Sequence, residues 1–577
     1  MAKTKGSVRS SQLITTYGIG SIVAVRDESF MIAGLDSWPV EEPDLFEPRL
    51  QRILNVRGFV HPPASDEGAD IPVVRFPKFQ FCPECHRLAP HFVFGGTWQE
   101  RICSSCDAEI VPARFVMACK RGHIDDFPWF RWVHASLKYE SVKGHDLFIQ
   151  AGGATSSLAD VEVTCSCGAR RNLEGAFGKD ALKGVTRCTG ARPWLEAPAE
   201  ENCPETPRAL QRGASNVWFS VVRSAISIPP WSESAYRVLD GHWKVLRHIP
   251  NDSLHGTLVG MNISAKSGIP EDELVEAILR RKAEESGATP PGDLKSQEYE
   301  ALVRGRADSG VGRHDFVCEE VPDLDDGVKD LFTSVSRVTR LREVRVLEAF
   351  SRILPAGQDN LEGAVSVLDA EKAVLPGIEV IGEGVFLRFN ESRLTRWEAD
   401  PSIRRRAETI RQRYEGRESR LGRTVARVIT PRLLLIHTFA HALITQWALD
   451  SGYSTSALRE RLYASDGQAG LLIYTATSDS AGSLGGVVSQ TSPARLYPSL
   501  LDSIRRSSWC SADPLCIEAQ GNGADALNLG ACHACVLLPE TSCEEMNIFL
   551  DRAMLIGAPD NPAAGYFSEW LETNWRG

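Results

Sequence analysis

Two cysteine pairs, Cys82-Pro-Glu-Cys85 and Cys103-Ser-Ser-Cys106, stand seventeen residues apart in the chain. A CxxC turn aims two thiolates at one point, and two such turns close a tetrahedron around a zinc ion. This is the spacing of a zinc ribbon, and it makes the chain a metal-stapled scaffold before it makes it a catalyst.

Ten of the other eleven cysteines are also clustered. Cys119, Cys165, Cys167, Cys188 and Cys203 extend the first block, and Cys510, Cys516, Cys532, Cys535 and Cys543 form a second; only Cys318 stands apart. A CxC pair followed by two single thiols can close a Cys₄ site, so Cys165, Cys167, Cys188 and Cys203 are expected to share an ion. Cys119 and His123 are possible further ligands. In the second block the expected ligands are Cys516, Cys532, Cys535 and Cys543, which leaves Cys510 as the spare thiol. Two to three zinc ions per chain follow. An all-thiolate shell has no open position for an activated water, so catalytic zinc is disfavoured at these sites.

With 577 residues the chain has room for several cores, and 43% hydrophobic with 24% charged residues is ordinary for a globular protein. No apolar run approaches the ~20 residues of a membrane span. The basic N-terminus leads into a stretch broken by polar residues and glycines, which argues against a signal peptide and for the reducing cytoplasm, where thiols bind metal rather than each other.

The pattern along the chain is α+β and multi-domain. Residues 1–80 are β-rich, residues 81–210 form the zinc-binding region, and residues 211–325 are mixed with a charged helical insert, read as a protruding arm. Residues 326–577 carry a helical and mixed C-terminal domain with the second cysteine cluster. Within it, residues 377–389 read as a β-hairpin turning at Gly382-Glu-Gly384. Residues 431–449 form a helix apolar nearly all round, and residues 453–463 read as a second helix.

The net charge of -11 excludes a wholly basic nucleic-acid coat, yet residues 388–427 hold twelve arginines against six acids. Arg404, Arg405, Arg406, Arg411 and Arg413 fall on one helical run, and Arg340 and Arg345 belong to a second basic concentration. Arginine suits bidentate phosphate contact, so these seven are the candidate DNA-binding residues. His437-Thr-Phe-Ala-His441 puts two imidazoles one helical turn apart, but Thr438 stands where a zincin has its general-base Glu. A metal-dependent hydrolytic site of His437, His441 and Asp479 is the main rival reading, and a pure assembly scaffold without DNA contact is another. Walker A, HExxH, GxSxG and GxGxxG motifs are all missing, so no enzyme activity is expected.

Several motifs together resemble a known family: Arg9-Ser-Ser-Gln12, Cys119-Lys-Arg-Gly-His123-Ile-Asp-Asp-Phe127-Pro-Trp129, Leu341-Arg-Glu-Val-Arg345, His437-Thr-Phe-Ala-His441 and Ala531-Cys-His-Ala-Cys535. They are similar to DrmB, the core subunit family of DISARM antiphage defence, whose C-terminal domain is helicase-associated. The resemblance implies a non-motor partner of an SNF2-like helicase, DrmA, that engages invading DNA. It also implies a four-cysteine metal site in the C-terminal domain, which the second cluster matches with one thiol to spare.

Overall fold

The computed structural model describes residues 6–39, 42–64, 70–95, 101–135, 144–151, 157–197, 201–285, 293–308, 314–356, 361–475 and 485–574. It is α+β throughout, and the chain divides into two compact units. One unit comprises residues 1–45, 56–223 and 345–378; the other comprises residues 46–55, 224–344 and 379–577.

The first unit is built from short antiparallel strands. Ile22–Val25, Glu28–Ile32 and Val73–Arg75 make a three-stranded sheet in which Met31 faces Ile22 on one side and Val74 on the other. A six-stranded sheet runs Arg170–Asn172, Val161–Cys165, Leu147–Ala151, Arg87–Pro90, Phe79–Phe81, Val111–Pro112. A third sheet sets Phe115–Ala118 between Arg208–Gln211 and Ile124–Asp126. Strands this short bury little on their own, and Phe115, Phe127, Trp129 and Trp132 share one apolar cluster with Leu88, Leu147 and Val163 of the six-stranded sheet. Their ends carry the cysteines.

The second unit is organised around the helix Pro431–Ser451. Thr430 caps its start by accepting the Leu433 N–H, Pro431 fits its first turn, and Gly452 ends it in the left-handed region. Its nearly unbroken burial has a simple cause. The strands Leu458–Tyr463 and Gly470–Thr475 and the helices Pro401–Leu421, Pro493–Ser507 and Ala553–Ile556 all contact it. Helix Pro401–Leu421 buries Ile403, Ala407, Ile410 and Tyr414 as one stripe. A separate helical cluster packs Leu239, Trp243, Leu274 and Ile278 together.

Three expectations about this unit are corrected. Residues 377–389 belong to one continuous strand, Val374–Phe389, rather than a hairpin. Its glycines serve close approach, not a turn: a Cβ on Gly382 would collide with the Thr475 carbonyl, and one on Gly384 would sit 2.6 Å from the Ile473 carbonyl oxygen. Residues 453–463 hold a short 3-10 turn, Thr455–Ala457, followed by the strand Leu458–Tyr463, which pairs residue by residue with Gly470–Thr475. The charged insert is not an arm. Its helix Leu294–Arg304 buries Tyr299 and Leu302, and its Glu298 pairs with the buried Arg461 at 2.8 Å.

Candidate metal centres

In the first unit, strand Phe79–Phe81 runs into Cys82, and strand Arg87–Pro90 leaves just after Cys85, so the first knuckle is itself a hairpin turn. His86 and Asp107 follow the two knuckles with φ of 61° and 55°, and their N–H groups reach back to the Cys82 and Cys103 carbonyls at 2.9 Å. The two halves are thus local copies of each other. Sulfur separations are 3.3 Å for Cys82 and Cys106 and 3.7 Å for Cys85 and Cys103. These are close to the ~3.8 Å edge of a zinc–thiolate tetrahedron and far from the ~2.05 Å of a disulfide.

The four thiols expected to share a second ion fall into two groups. Cys119 and His123 close a turn between strands Phe115–Ala118 and Ile124–Asp126, and they gather Cys188 and Cys203. His123 Nδ1 lies 3.4 Å from the Cys119 sulfur and 3.6 Å from that of Cys188. Its Nε2 meets Glu201 at 3.0 Å, which fixes the ring and leaves Nδ1 for an ion. Arg352 braces the same turn from behind. Fully buried, it donates to the carbonyls of Gly122, Val217 and Gly20 at 2.7–2.8 Å.

Cys165 and Cys167 instead meet His134 and His145. His134 Nε2 is 3.3 Å from the Cys167 sulfur, and His145 Nδ1 is 3.4 Å from that of Cys165. His134 Nδ1 donates to the Phe130 carbonyl at 2.7 Å, so its ring too is oriented from the far side. Sequence reasoning missed both histidines. A CxC at the end of one strand supplies only two ligands, and the uncounted histidines of a cysteine-rich block were the available signal.

In the second unit Cys510, not Cys543, completes the group with Cys516, Cys532 and Cys535. Cys510 lies 3.5 Å from Cys532, and Cys516 lies 3.7 Å from Cys535. The Ala512 N–H points at the Cys510 sulfur and the Cys532 N–H at that of Cys535, as expected around thiolates. In each of these four groups the donor types and separations fit zinc.

Cys543 sits with His437, His441 and Glu460 in a fifth group, and all four residues are buried. Burial holds the His441 imidazole below its ordinary pKa, and burial with the neighbouring Glu460 pushes the Cys543 thiol well up. Asp479 of the hydrolytic reading lies outside the described residues.

Residues 439–536 match the model of the MrfA Zn-binding domain, which contains the group of Cys510, Cys516, Cys532 and Cys535, and residues 9–219 match a domain of unknown function, DUF8724. The "DISARM protein DrmB" of Bacillus paralicheniformis is 32% identical over 572 residues, covering 94% of this chain and 99% of that protein. The chain belongs to the DrmB family. It is therefore a zinc-binding member of a DISARM defence family, and as a DrmB relative it carries metal-suited groups in both of its units. No described helix is long and apolar enough to cross a membrane.

The arginines are less uniform than their sequence suggests. Arg404 and Arg405 are exposed, and the Arg404 Nε donates to the Glu398 carbonyl at 2.9 Å. Arg405 borders a cavity of about 180 Å³ shared with Ser402, Thr409, Gln520 and Asn561. Arg406 is committed to Asp551, Arg411 to Glu408 and Glu415, and Arg413 to the Ala526 carbonyl. Arg340 pairs with Asp308 at 3.0 Å, and Arg345 is buried. A buried guanidinium cannot reach a phosphate, so Arg345 is withdrawn as a DNA contact.

Proposed function

We propose that this chain is a non-motor, zinc-held subunit that partners an SNF2-like helicase, DrmA, and helps hold invading DNA during antiviral defence. The observation that carries the reading is the 32% identity with the DISARM protein DrmB over 94% of this chain. Zinc would be held by Cys82, Cys85, Cys103 and Cys106; by Cys119, His123, Cys188 and Cys203; by His134, His145, Cys165 and Cys167; and by Cys510, Cys516, Cys532 and Cys535. When bound, these ions act as structural cross-links rather than Lewis acids, because each group offers four protein donors. That all fifteen cysteines are free supports work in the reducing cytoplasm.

The DNA contact is narrowed to the start of helix Pro401–Leu421. Exposure of Arg404 and Arg405, the latter beside the cavity, supports phosphate contact there, while Arg406 is held by the buried Asp551. Co-expression with the helicase tests the partnership. A stoichiometric complex that survives size-exclusion chromatography is expected, and two separately eluting proteins would refute it.

A further inference from the structure

The fifth donor group lies in the core of the second unit, beside the Cys₄ group of Cys510, Cys516, Cys532 and Cys535. His437 and His441 occupy successive turns of the buried helix Pro431–Ser451, Glu460 comes from the strand Leu458–Tyr463, and Cys543 follows the short turn Glu540–Ser542. Both histidines and Glu460 are 0% exposed, and Cys543 is 5% exposed. We propose that His437, His441, Glu460 and Cys543 bind a single, fully enclosed zinc ion that pins strand, helix and C-terminal loop together.

Three independent observations carry this. The first is distance. His437 Nε2 lies 3.2 Å from the Cys543 sulfur and 3.3 Å from Glu460 Oε1, and His441 Nε2 lies 3.6 Å from the same oxygen. Tetrahedral zinc with ordinary nitrogen, oxygen and sulfur bond lengths sets its ligand atoms about 3.3–3.6 Å apart.

The second is hydrogen bonding. His441 donates its Nδ1–H to the Val536 carbonyl at 2.8 Å, which fixes the tautomer that turns the Nε2 lone pair into the group. His441 Nε2 then has no hydrogen-bond partner, although it is completely buried. Buried polar atoms are rarely left so, and a metal ion at the centre of the group gives this donor a reason to be there. The Cys543 sulfur receives the N–H groups of Glu545 and Asn547 at 3.3 and 3.2 Å. This is the pattern seen at Cys510 and Cys535, and it is how a folded chain stabilises a thiolate.

The third is charge. One carboxylate, one thiolate and two neutral imidazoles balance Zn²⁺ to zero, whereas a Cys₄ shell leaves two negative charges. A neutral complex suits complete burial, and the two Cys₄ groups correspondingly sit nearer the surface, with Cys106 exposed and Cys532 and Cys535 half-buried. With four protein donors, three of them on residues 0% exposed, the site is structural. It rules out the hydrolytic role that two histidines one turn apart would otherwise suggest. The Val536 carbonyl also follows Cys535 directly, so the ion would tie the neighbouring Cys₄ group to the helix.

Anomalous scattering across the zinc K-edge tests this on crystals of the full chain grown with zinc supplied. A peak within bonding distance of His437 Nε2, His441 Nε2, Glu460 and the Cys543 sulfur is expected, with the Cys₄ groups as internal references. Peaks at the Cys₄ groups with none here would overturn the proposal. In solution, His441→Gln should lower the zinc content by one equivalent while the other sites keep theirs. Should that variant fail to fold, the wild-type crystal measurement still decides.

Discussion

Arg406 grips both carboxylate oxygens of Asp551, Nε to Oδ2 at 2.6 Å and Nη2 to Oδ1 at 2.9 Å, and Asp551 is completely buried. Asp551 also accepts the N–H groups of Gly530 and Ala553, so Arg406 holds together the loops around helix Ala553–Ile556. Its neighbours Arg404 and Arg405 are exposed to solvent. One basic triplet thus divides into one structural arginine and two at the surface. Arg406→Ala should cost roughly 3 kcal/mol, because it strands a buried carboxylate, while Arg405→Ala should change stability by under about 0.5 kcal/mol. Denaturant titration of the two variants checks this.

Acid should reveal a second ion-pair centre. Burial alone would raise the Glu379 carboxyl, but the guanidiniums of Arg237 and Arg342 outweigh it and hold the group at about 2. The folded value lies below the unfolded one near ~4.3, so the stabilisation is complete above that pH and is lost as pH falls through about 2. Discounted for the partial exposure of Glu379, it amounts to roughly 2 kcal/mol at neutral pH. Glu379→Gln should therefore be less stable than wild type at pH 7, with the gap closing as pH falls from about 4.3 toward 2. A gap constant over that window would contradict the pairing.

Arg352 has three carbonyl partners, and burial lowers it only to about 9, so it remains a cation at neutral pH. Arg352→Met keeps the bulk but strands the Gly122, Val217 and Gly20 oxygens, at a cost of roughly 3 kcal/mol. Because Gly122 lies in the Cys119–His123 turn, the variant should also release zinc faster to a chelator. Competition with a colorimetric chelator measures that rate.

Cys82→Ser should remove one zinc equivalent and destabilise its ribbon on the order of several kcal/mol, since structural zinc supplies folding free energy directly. Limited proteolysis should then cut within residues 79–112 first. Unchanged zinc content in the variant would show that Cys82 is not a ligand.

Where local chemistry decided the outcome, the sequence was readable. The Cys82–Cys85 and Cys103–Cys106 knuckles and the apolar helix containing His437 need only neighbouring residues to be recognised. Where the partner is distant, it was not. Cys188 joins His123 across 65 residues, and Cys543 joins His437 across 106, separations that no spacing rule encodes. The strand Leu458–Tyr463 was hidden for another reason. Its Arg459-Glu460-Arg461 run looks like a solvated helix face, yet Glu460 and Arg461 are buried because each has partners waiting in the core. Gly382 and Gly384 mimic a turn because glycine serves both tight turns and close strand approach.

The central claim is that this chain adds a DNA-contacting surface to a helicase partner, and DNA affinity measured against salt tests it most directly. Binding isotherms would compare the helicase alone, the helicase with this chain, and the complex carrying Arg404→Glu with Arg405→Glu. The complex should bind more tightly than the helicase alone, and its affinity should fall more steeply with salt. The double variant should weaken binding and flatten the slope by roughly one unit for each phosphate no longer engaged, without dissociating the two proteins. Identical affinity and slope for all three samples would contradict the account and leave the chain as an assembly scaffold.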